Sequence, residues 1–162
     1  MTHSHLSHPP KRPTRIGHEH HVKHHSRHPG QTEKHLKSLA TAARNAALSK
    51  PKQRQATRIL EKYVEDTSHN AVTRRHAIEW LGDIGNNKSV PAIRKALNSS
   101  DPTLCLVSVH ALEKIGGKDA KTALKNVLQG RDYTIKVQAH HALNAIEKRE
   151  ARKAKTIPHF NT

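Results

Sequence analysis

At 162 residues, the chain has room for one ordinary domain and a tail. Lys and Arg number 29 against 13 Asp and Glu, a net charge of +16 that favours anionic partners such as nucleic acid or acidic protein surfaces. The single Cys excludes an internal disulfide framework and a Cys-based zinc site. Neither a membrane-length apolar stretch nor a hydrophobic leader is present, so we expect an intracellular, cytoplasmic protein without a membrane segment.

The first 31 residues predict a His-rich, basic, disordered tail. Residues 1 to 30 contain nine of the sixteen His and four Pro but almost nothing apolar, so no core can form there. Lys11, Arg12 and Arg15 lie in this tail and are candidate contacts for an anionic partner. Its histidines would bind metal ions by composition alone, and we expect no functional metal site.

From residue 32 to residue 155 the sequence predicts a repeat domain that is entirely α-helical. A 31-residue period places Leu81, Leu112 and Leu143 in one column, and Asn70, Asp101 and Asp132 in another that suits helix N-caps. We therefore predict a short α-solenoid of helix pairs. Its parts are an irregular pair over 32–69, units at 70–100 and 101–131, a terminal helix over 132–155, and a C-terminal tail over 156–162.

The same register predicts the conformation or burial of several single residues. Gly85 and Gly116 should end the first helices of their units in the left-handed conformation. Trp80 aligns with two alanines and should pack against the irregular first pair, whereas Cys105 falls in an apolar run and should be buried. The histidines at 110 and 141 share a column, and we expect them to be half-buried and neutral rather than metal ligands.

The stretches Arg75 to Gly85 and His110 to Gly116, with their Ala-Leu/Ile-x-x-Leu/Ile-Gly pattern, resemble the short HEAT-like repeats of the phycobilisome lyase type. The resemblance covers residue 70 to about residue 150. It implies the helix-pair fold, and it raises bilin lyase or bilin chaperone activity as one alternative. The repeat serves enzymes, chaperones, scaffolds and nucleic-acid binders alike, so function must be argued from the site.

No enzymatic site emerges from the sequence. Family members resembling deoxyhypusine hydroxylase place His-Glu pairs on successive first helices, but the matching positions here are Arg75-His76, Leu106-Val107 and Val137-Gln138. We assign no catalytic residue, metal or cofactor. The sequence predicts a non-enzymatic binding protein that functions within a larger assembly.

The repeat register also aligns cations. Arg94 and Lys125 share a column on second helices, with Lys95 and Lys121 close by, and Arg74 and Lys136 share a column on first helices, beside Arg75. We expect the second-helix row to form an electropositive groove. The first candidate partner is nucleic acid, as in a ribonucleoprotein or virion-like assembly. We expect it to be bound without sequence specificity, because base stacking needs aromatic side chains, which are scarce here. An acidic peptide or helix bound by a scaffold is the alternative.

Overall fold

The computed structural model describes residues 29–130 and 132–156, and the regular elements in these ranges are all helical. Helices of successive pairs pack side by side, first helix on first helix and second on second, which is the predicted α-solenoid. The helices are α1 (Pro29–Arg44), α2 (Lys50–Glu65), α3 (Ala71–Ile84), α4 (Val90–Ala96), α5 (Pro102–Ile115), α6 (Gly117–Val127) and α7 (Tyr133–Thr156), with a 3-10 turn (Asn87–Ser89) ahead of α4.

The predicted N-caps are confirmed in all three units. The side chain of Asn70 accepts a hydrogen bond from the amide of Thr73 at 2.8 Å, and Asp132 accepts one from the amide of Ile135 at 2.9 Å. Asp101 caps the amide of Thr103 at 2.8 Å. Each carboxylate or amide oxygen satisfies a donor that the first turn leaves unpaired, so the cap column sets where each first helix begins.

The two predicted glycine stops differ from each other. Gly85 ends α3 in the left-handed region, at φ 68° and ψ 28°, as expected. Gly116 also has a positive φ of 67°, but its ψ of −162° is not left-handed helical. The chain turns from α5 into α6 at once, through Gly117 at φ 77°, whereas a 3-10 turn separates α3 from α4. The shorter connection requires a different backbone path, which only glycine adopts readily.

The aligned apolar columns form one continuous core. Leu81 and Leu112 are fully buried, and Ile93 and Leu124 are their buried counterparts on the second helices. The irregular first pair joins the same core through residues of α1 and α2: Leu36, Ala40, Leu60 and Val64. Helices α4 and α6, with 7 and 11 residues, are too short to be stable alone, so burial between neighbouring units stabilises them.

Polar contacts also join consecutive units. Lys114 Nζ lies 2.7 Å from Asp83 Oδ1, a pair separated by one full repeat in sequence. The hydroxyl of Ser89 donates to Glu61 at 2.7 Å across the boundary between the first and second pairs. These contacts add to the apolar packing between consecutive units.

Single-residue predictions had mixed outcomes. Cys105 is buried, and Trp80 is partly buried beside Thr41 and Asn45 of the first pair, as predicted. The predicted partial burial of the two histidines was wrong: both side chains are exposed, and His110 lies 3.8 Å from a carboxylate oxygen of Glu113.

Helix α1 begins at Pro29, three residues before the predicted start of the repeat domain at residue 32, because Pro is favoured at the first position of a helix. Residues 1–28 and 157–162 lie outside the described residues, and with them the predicted disorder of the tail.

Candidate docking site

Two cations of the predicted second-helix row remain available to a partner. Arg94 on α4 and Lys125 on α6 are both exposed. Within the described ranges, neither side chain forms an ion pair or a side-chain hydrogen bond. They lie at equivalent positions of consecutive units, so these two residues form the exposed, unpaired part of the predicted row.

The other two members of that row are paired within the molecule. Lys95 Nζ lies 2.6 Å from Glu65 Oε1 on α2, and Lys121 Nζ lies 2.6 Å from Glu150 Oε2 on α7. Each carboxylate comes from a neighbouring helix of the stack. These lysines therefore contribute little net positive potential to the surface.

The first-helix cations are also separate from this surface. The Nε of Arg74 donates to the carbonyl oxygen of Val64 at 3.0 Å, which ties the end of α2 to the start of α3. Arg75 lies 3.8 Å from Glu79 on the same helix, and its buried Nε has no hydrogen-bond partner within the described residues. Lys136 is half-buried on α7. The structure therefore does not bring Arg74, Arg75 and Lys136 together with Arg94. Lys11, Arg12 and Arg15 fall outside the described residues.

Arg94 lies between two solvent-open cavities along the contact between α4 and α6, which we call the α4/α6 seam. A cavity of about 550 Å³ lies toward the C-terminal end of α4, and one of about 350 Å³ lies toward its N-terminal end. Arg94 and Ala123 line both cavities. Arg94 is therefore the central charged group of a continuous surface depression.

The cavity at the C-terminal end of α4 has a mixed lining in which polar groups outweigh apolar side chains. Leu97, Val127 and Ile135 supply apolar surface, and Asn98 and Asn126 supply amide groups. Such a mixture is typical of sites that bind one apolar side chain and fix the backbone around it.

The charged groups differ between the two cavities. Lys88 and Arg94 face one carboxylate, Asp119, in the smaller cavity, and Asp119 accepts a hydrogen bond from the amide of Asn87 at 2.8 Å. Among the described residues, Arg94 and Asp132, the cap of α7, are the charged groups that line the larger cavity.

Cys105 lines the larger cavity without being a reactive group. Its thiol donates to the carbonyl oxygens of Leu97 and Ser99, both at 3.2 Å. Burial raises the pKa of this thiol, and the negative charges of Asp101 and Asp132 raise it further. A protonated, hydrogen-bonded thiol is a poor nucleophile, so Cys105 is not activated for covalent chemistry.

Sequence reasoning missed Lys88 and the amides of Asn98 and Asn126. Only cations that repeat every 31 residues were selected, and Lys88 has no cationic counterpart at Asp119. Asn98 follows α4 and Asn126 lies in the last turn of α6, but their convergence depends on how the two helices pack, which the sequence does not show.

The described residues contain no cluster of three or more His, Cys, Asp or Glu side chains that could hold a metal ion. None of the helices in these ranges combines the length and the apolar character that crossing a bilayer demands.

A family model described as HEAT repeats matches residues 59–144, more than half of the chain. This range begins within α2 and ends within α7, so it contains both complete regular units and the whole α4/α6 seam. HEAT repeats are typical of scaffold and protein-interaction proteins.

A search of the curated proteins found no match. Among the solved structures that match is the crystal structure of an engineered protein, with 20% sequence identity and a TM-score of 0.49. The match covers 76% of this chain and 59% of that one, so this chain spans only part of the engineered protein's length.

Proposed function

This chain belongs to the HEAT repeat family, and from that premise we propose that it is a non-catalytic scaffold that binds an acidic protein segment along its second helices. The observation that carries the proposal is the position of Arg94, which is exposed, has no ion-pair partner among the described residues and lies between two adjoining cavities. An Arg in such a position can bind a carboxylate with two parallel hydrogen bonds.

The composition of the seam favours a protein partner over nucleic acid. Apolar side chains contribute to the larger cavity, and two of the four cations in the predicted row, Lys95 and Lys121, are neutralised within the molecule. The affinity of a surface for phosphates rises with the number of unpaired cations on it, and in this row Arg94 and Lys125 are the unpaired ones among the described residues. An acidic peptide with an apolar side chain requires only the groups present.

Nucleic acid is the second candidate, and the net charge of +16 favours it. Lys148, Lys153 and Lys155 are exposed on the C-terminal part of α7, beyond its last buried residue, Ile146. Together with Lys11, Arg12 and Arg15 they could contact phosphates without sequence specificity. In this case the α4/α6 seam would not be the principal contact.

Three finer assignments stay predictions. They are the absence of enzymatic activity, the relation to the phycobilisome lyase type with its bilin lyase or chaperone alternative, and the cytoplasmic location. The surface chemistry of the seam supports the first, since it combines a protonated thiol, amides and a single unpaired Arg.

The test is a pull-down with the full chain, carried out with and without nuclease and followed by a wash at about 0.5 M salt, which screens surface charges strongly. Bait variants are Arg94→Glu in the seam and, as a matched control, Arg44→Glu on the exposed end of α1. We expect a partner that survives nuclease and the wash, is lost with Arg94→Glu and is kept with Arg44→Glu.

Two other results would decide against the proposal. A partner that disappears on nuclease treatment supports the nucleic-acid candidate. A nuclease-resistant partner that both variants retain equally excludes the second-helix surface as the docking site.

A further inference from the structure

We infer that the C-terminal half of α7 binds the phosphate backbone of a nucleic acid, at a surface separate from the α4/α6 seam. Five exposed side chains on one side of the helix carry the inference, and we call them the α7 donor face: His141, Asn144, Lys148, Arg152 and Lys155. The inference goes beyond the proposed docking of a protein segment and does not depend on it, because none of these residues lines either cavity of the seam.

The α7 donor face is one continuous strip. Its residues follow each other at intervals of three or four positions, which places them on the same side of an α-helix. From His141 to Lys155 the helix rises about 21 Å, at about 1.5 Å per residue. Each of the five side chains carries an N–H donor, and none of them is a carboxylate. The strip therefore presents donors and positive charge along its whole length.

The other side of α7 anchors this strip to the repeat stack. As far as Ile146, the last buried residue, α7 packs against α5 and α6. Beyond that point Arg149 donates to the carbonyl oxygen of Glu113 on α5 at 2.7 Å, and Lys121 of α6 lies 2.6 Å from Glu150. Because the helix is already held in place, a ligand on the α7 donor face would have little backbone to order.

Acidic side chains leave the strip positively charged. Lys148 and Lys155 are exposed and form no ion pair within the described ranges. Glu150 is already paired with α6, and Glu147, the other carboxylate on this half of α7, is about 100° around the helix from Lys148. Outside the described ranges the sequence contains one acidic side chain, Glu19, against six Lys and Arg. Those residues therefore add no net negative charge that could neutralise the strip.

The composition of the strip favours nucleic acid over other polyanions. Lys, Arg and Asn are among the side chains that contact phosphates and sugars in protein–DNA complexes. A helix that lies on an anionic membrane also needs apolar side chains that enter the lipid, and protein interfaces depend on apolar or aromatic anchors. The α7 donor face has no large apolar side chain, because Leu143 and Ile146 are buried in the stack.

The test measures binding of the full chain to fluorescein-labelled duplexes of about 20 base pairs, by fluorescence anisotropy at several salt concentrations between about 0.05 and about 0.2 M. The probes are duplex DNA and duplex RNA of one arbitrary sequence, and the same two with the sequence scrambled. Proteins are the wild type, the double variant Lys148→Gln/Lys155→Gln and the matched control Lys37→Gln/Arg44→Gln. The control removes two exposed charges with the same seven-residue spacing from α1.

We expect Lys148→Gln/Lys155→Gln to weaken binding to duplex DNA about tenfold or more at low salt, and to reduce the log–log salt slope by about 1.8, or about 0.9 for each lost phosphate contact. The control should change neither quantity. Scrambling the sequence should leave the affinity unchanged, because backbone contacts carry no sequence information. Comparison of the DNA and RNA probes shows which of the two backbones fits the strip better. Both variants should keep the wild-type melting temperature, since all four side chains are exposed.

Equal losses in the two double variants would overturn the inference, because binding would then follow net charge rather than the strip. A salt slope that Lys148→Gln/Lys155→Gln leaves unchanged would overturn it as well. Vesicles of phosphatidylserine and phosphatidylcholine in equal parts provide the remaining comparison. If this variant loses affinity for the vesicles but keeps its affinity for both duplexes, the strip binds lipid headgroups and the inference fails.

Discussion

At the scale of single residues, the structure assigns different tasks to cations that look alike in the sequence. Arg94 is exposed and without an ion-pair partner among the described residues, whereas Lys95, its direct neighbour, is 2.6 Å from Glu65. These partners are 30 residues apart, so their contact depends on how the units stack. The repeat register could predict where the cations lie on their helices. It could not predict which of them are neutralised.

The repeat column that contains His110 and His141 also contains a residue that predicts exposure of both histidines. Glu79 lies 31 residues before His110, which lies 31 residues before His141, and all three side chains are exposed. A Glu in the first unit is a sign of an exposed position, because an unpaired carboxylate is rarely buried. The column as a whole therefore predicts exposure, which the two histidines alone do not.

Cys105 provides a prediction about pH. Its pKa is raised in the folded state, so the thiol contributes stability below the pKa of the unfolded thiol, about 8.5, and this contribution is lost as pH rises through the folded pKa. The variant Cys105→Ser keeps a donor for the carbonyl oxygens but does not titrate in this range. We expect urea unfolding to show a larger loss of stability for the wild type than for Cys105→Ser between about pH 7 and about pH 10. Equal losses in the two proteins would contradict the assignment.

At the scale of elements, the contact between α3 and α5 depends on a glycine that the repeat pattern does not mark as special. A Cβ added at Gly82 would lie 2.9 Å from the Cα of Ala111, closer than real side chains approach a backbone. Both residues are buried, so the two first helices pack with almost no side chain between them. The apolar stripe predicts that these helices meet but leaves open how closely.

We therefore expect Gly82→Ala to destabilise the protein by about 1–3 kcal/mol, because α3 and α5 must move apart. The matched control is Gly30→Ala in the first turn of α1, where an added Cβ meets nothing within 4 Å. That change should be neutral or stabilising by up to about 1 kcal/mol, since Ala is the better helix former. Guanidinium unfolding measures both, and a Gly82→Ala protein as stable as Gly30→Ala would show that the contact adapts.

At the scale of the whole molecule, the sequence was sufficient for the fold and insufficient for the site. Repeated apolar columns and caps such as Asn70 and Asp101 recur at a fixed period, so they predict the elements and their order. The α4/α6 seam depends on Lys88, Asn98 and Ile135, which do not repeat and which only the stacking brings together. Properties that every unit shares are visible in the sequence, whereas properties of one boundary are not.

The position of a helix in the stack should determine how often its backbone hydrogen bonds open to solvent. Helix α5 packs against α3, α4, α6 and α7, whereas α1 packs mainly against α2 and α3. Since stability in a repeat protein is shared between neighbours, we expect amide hydrogens of α5 to exchange with solvent most slowly and those of α1 much faster. Hydrogen exchange followed by mass spectrometry tests this order. Uniform protection of both helices would mean that the stack unfolds as a single cooperative body.

The ion pair between Asp83 and Lys114 gives the units an order. The two residues occupy the same position in consecutive units but carry opposite charges. If the unit at 101–131 were copied in tandem, one Lys114 would face another, and like charges would replace the attraction. The two units have the same order of helices, but the charges at this contact differ, so one unit cannot replace the other without loss of the ion pair. Lengthening this protein by duplication would therefore require a compensating charge change at the new junction.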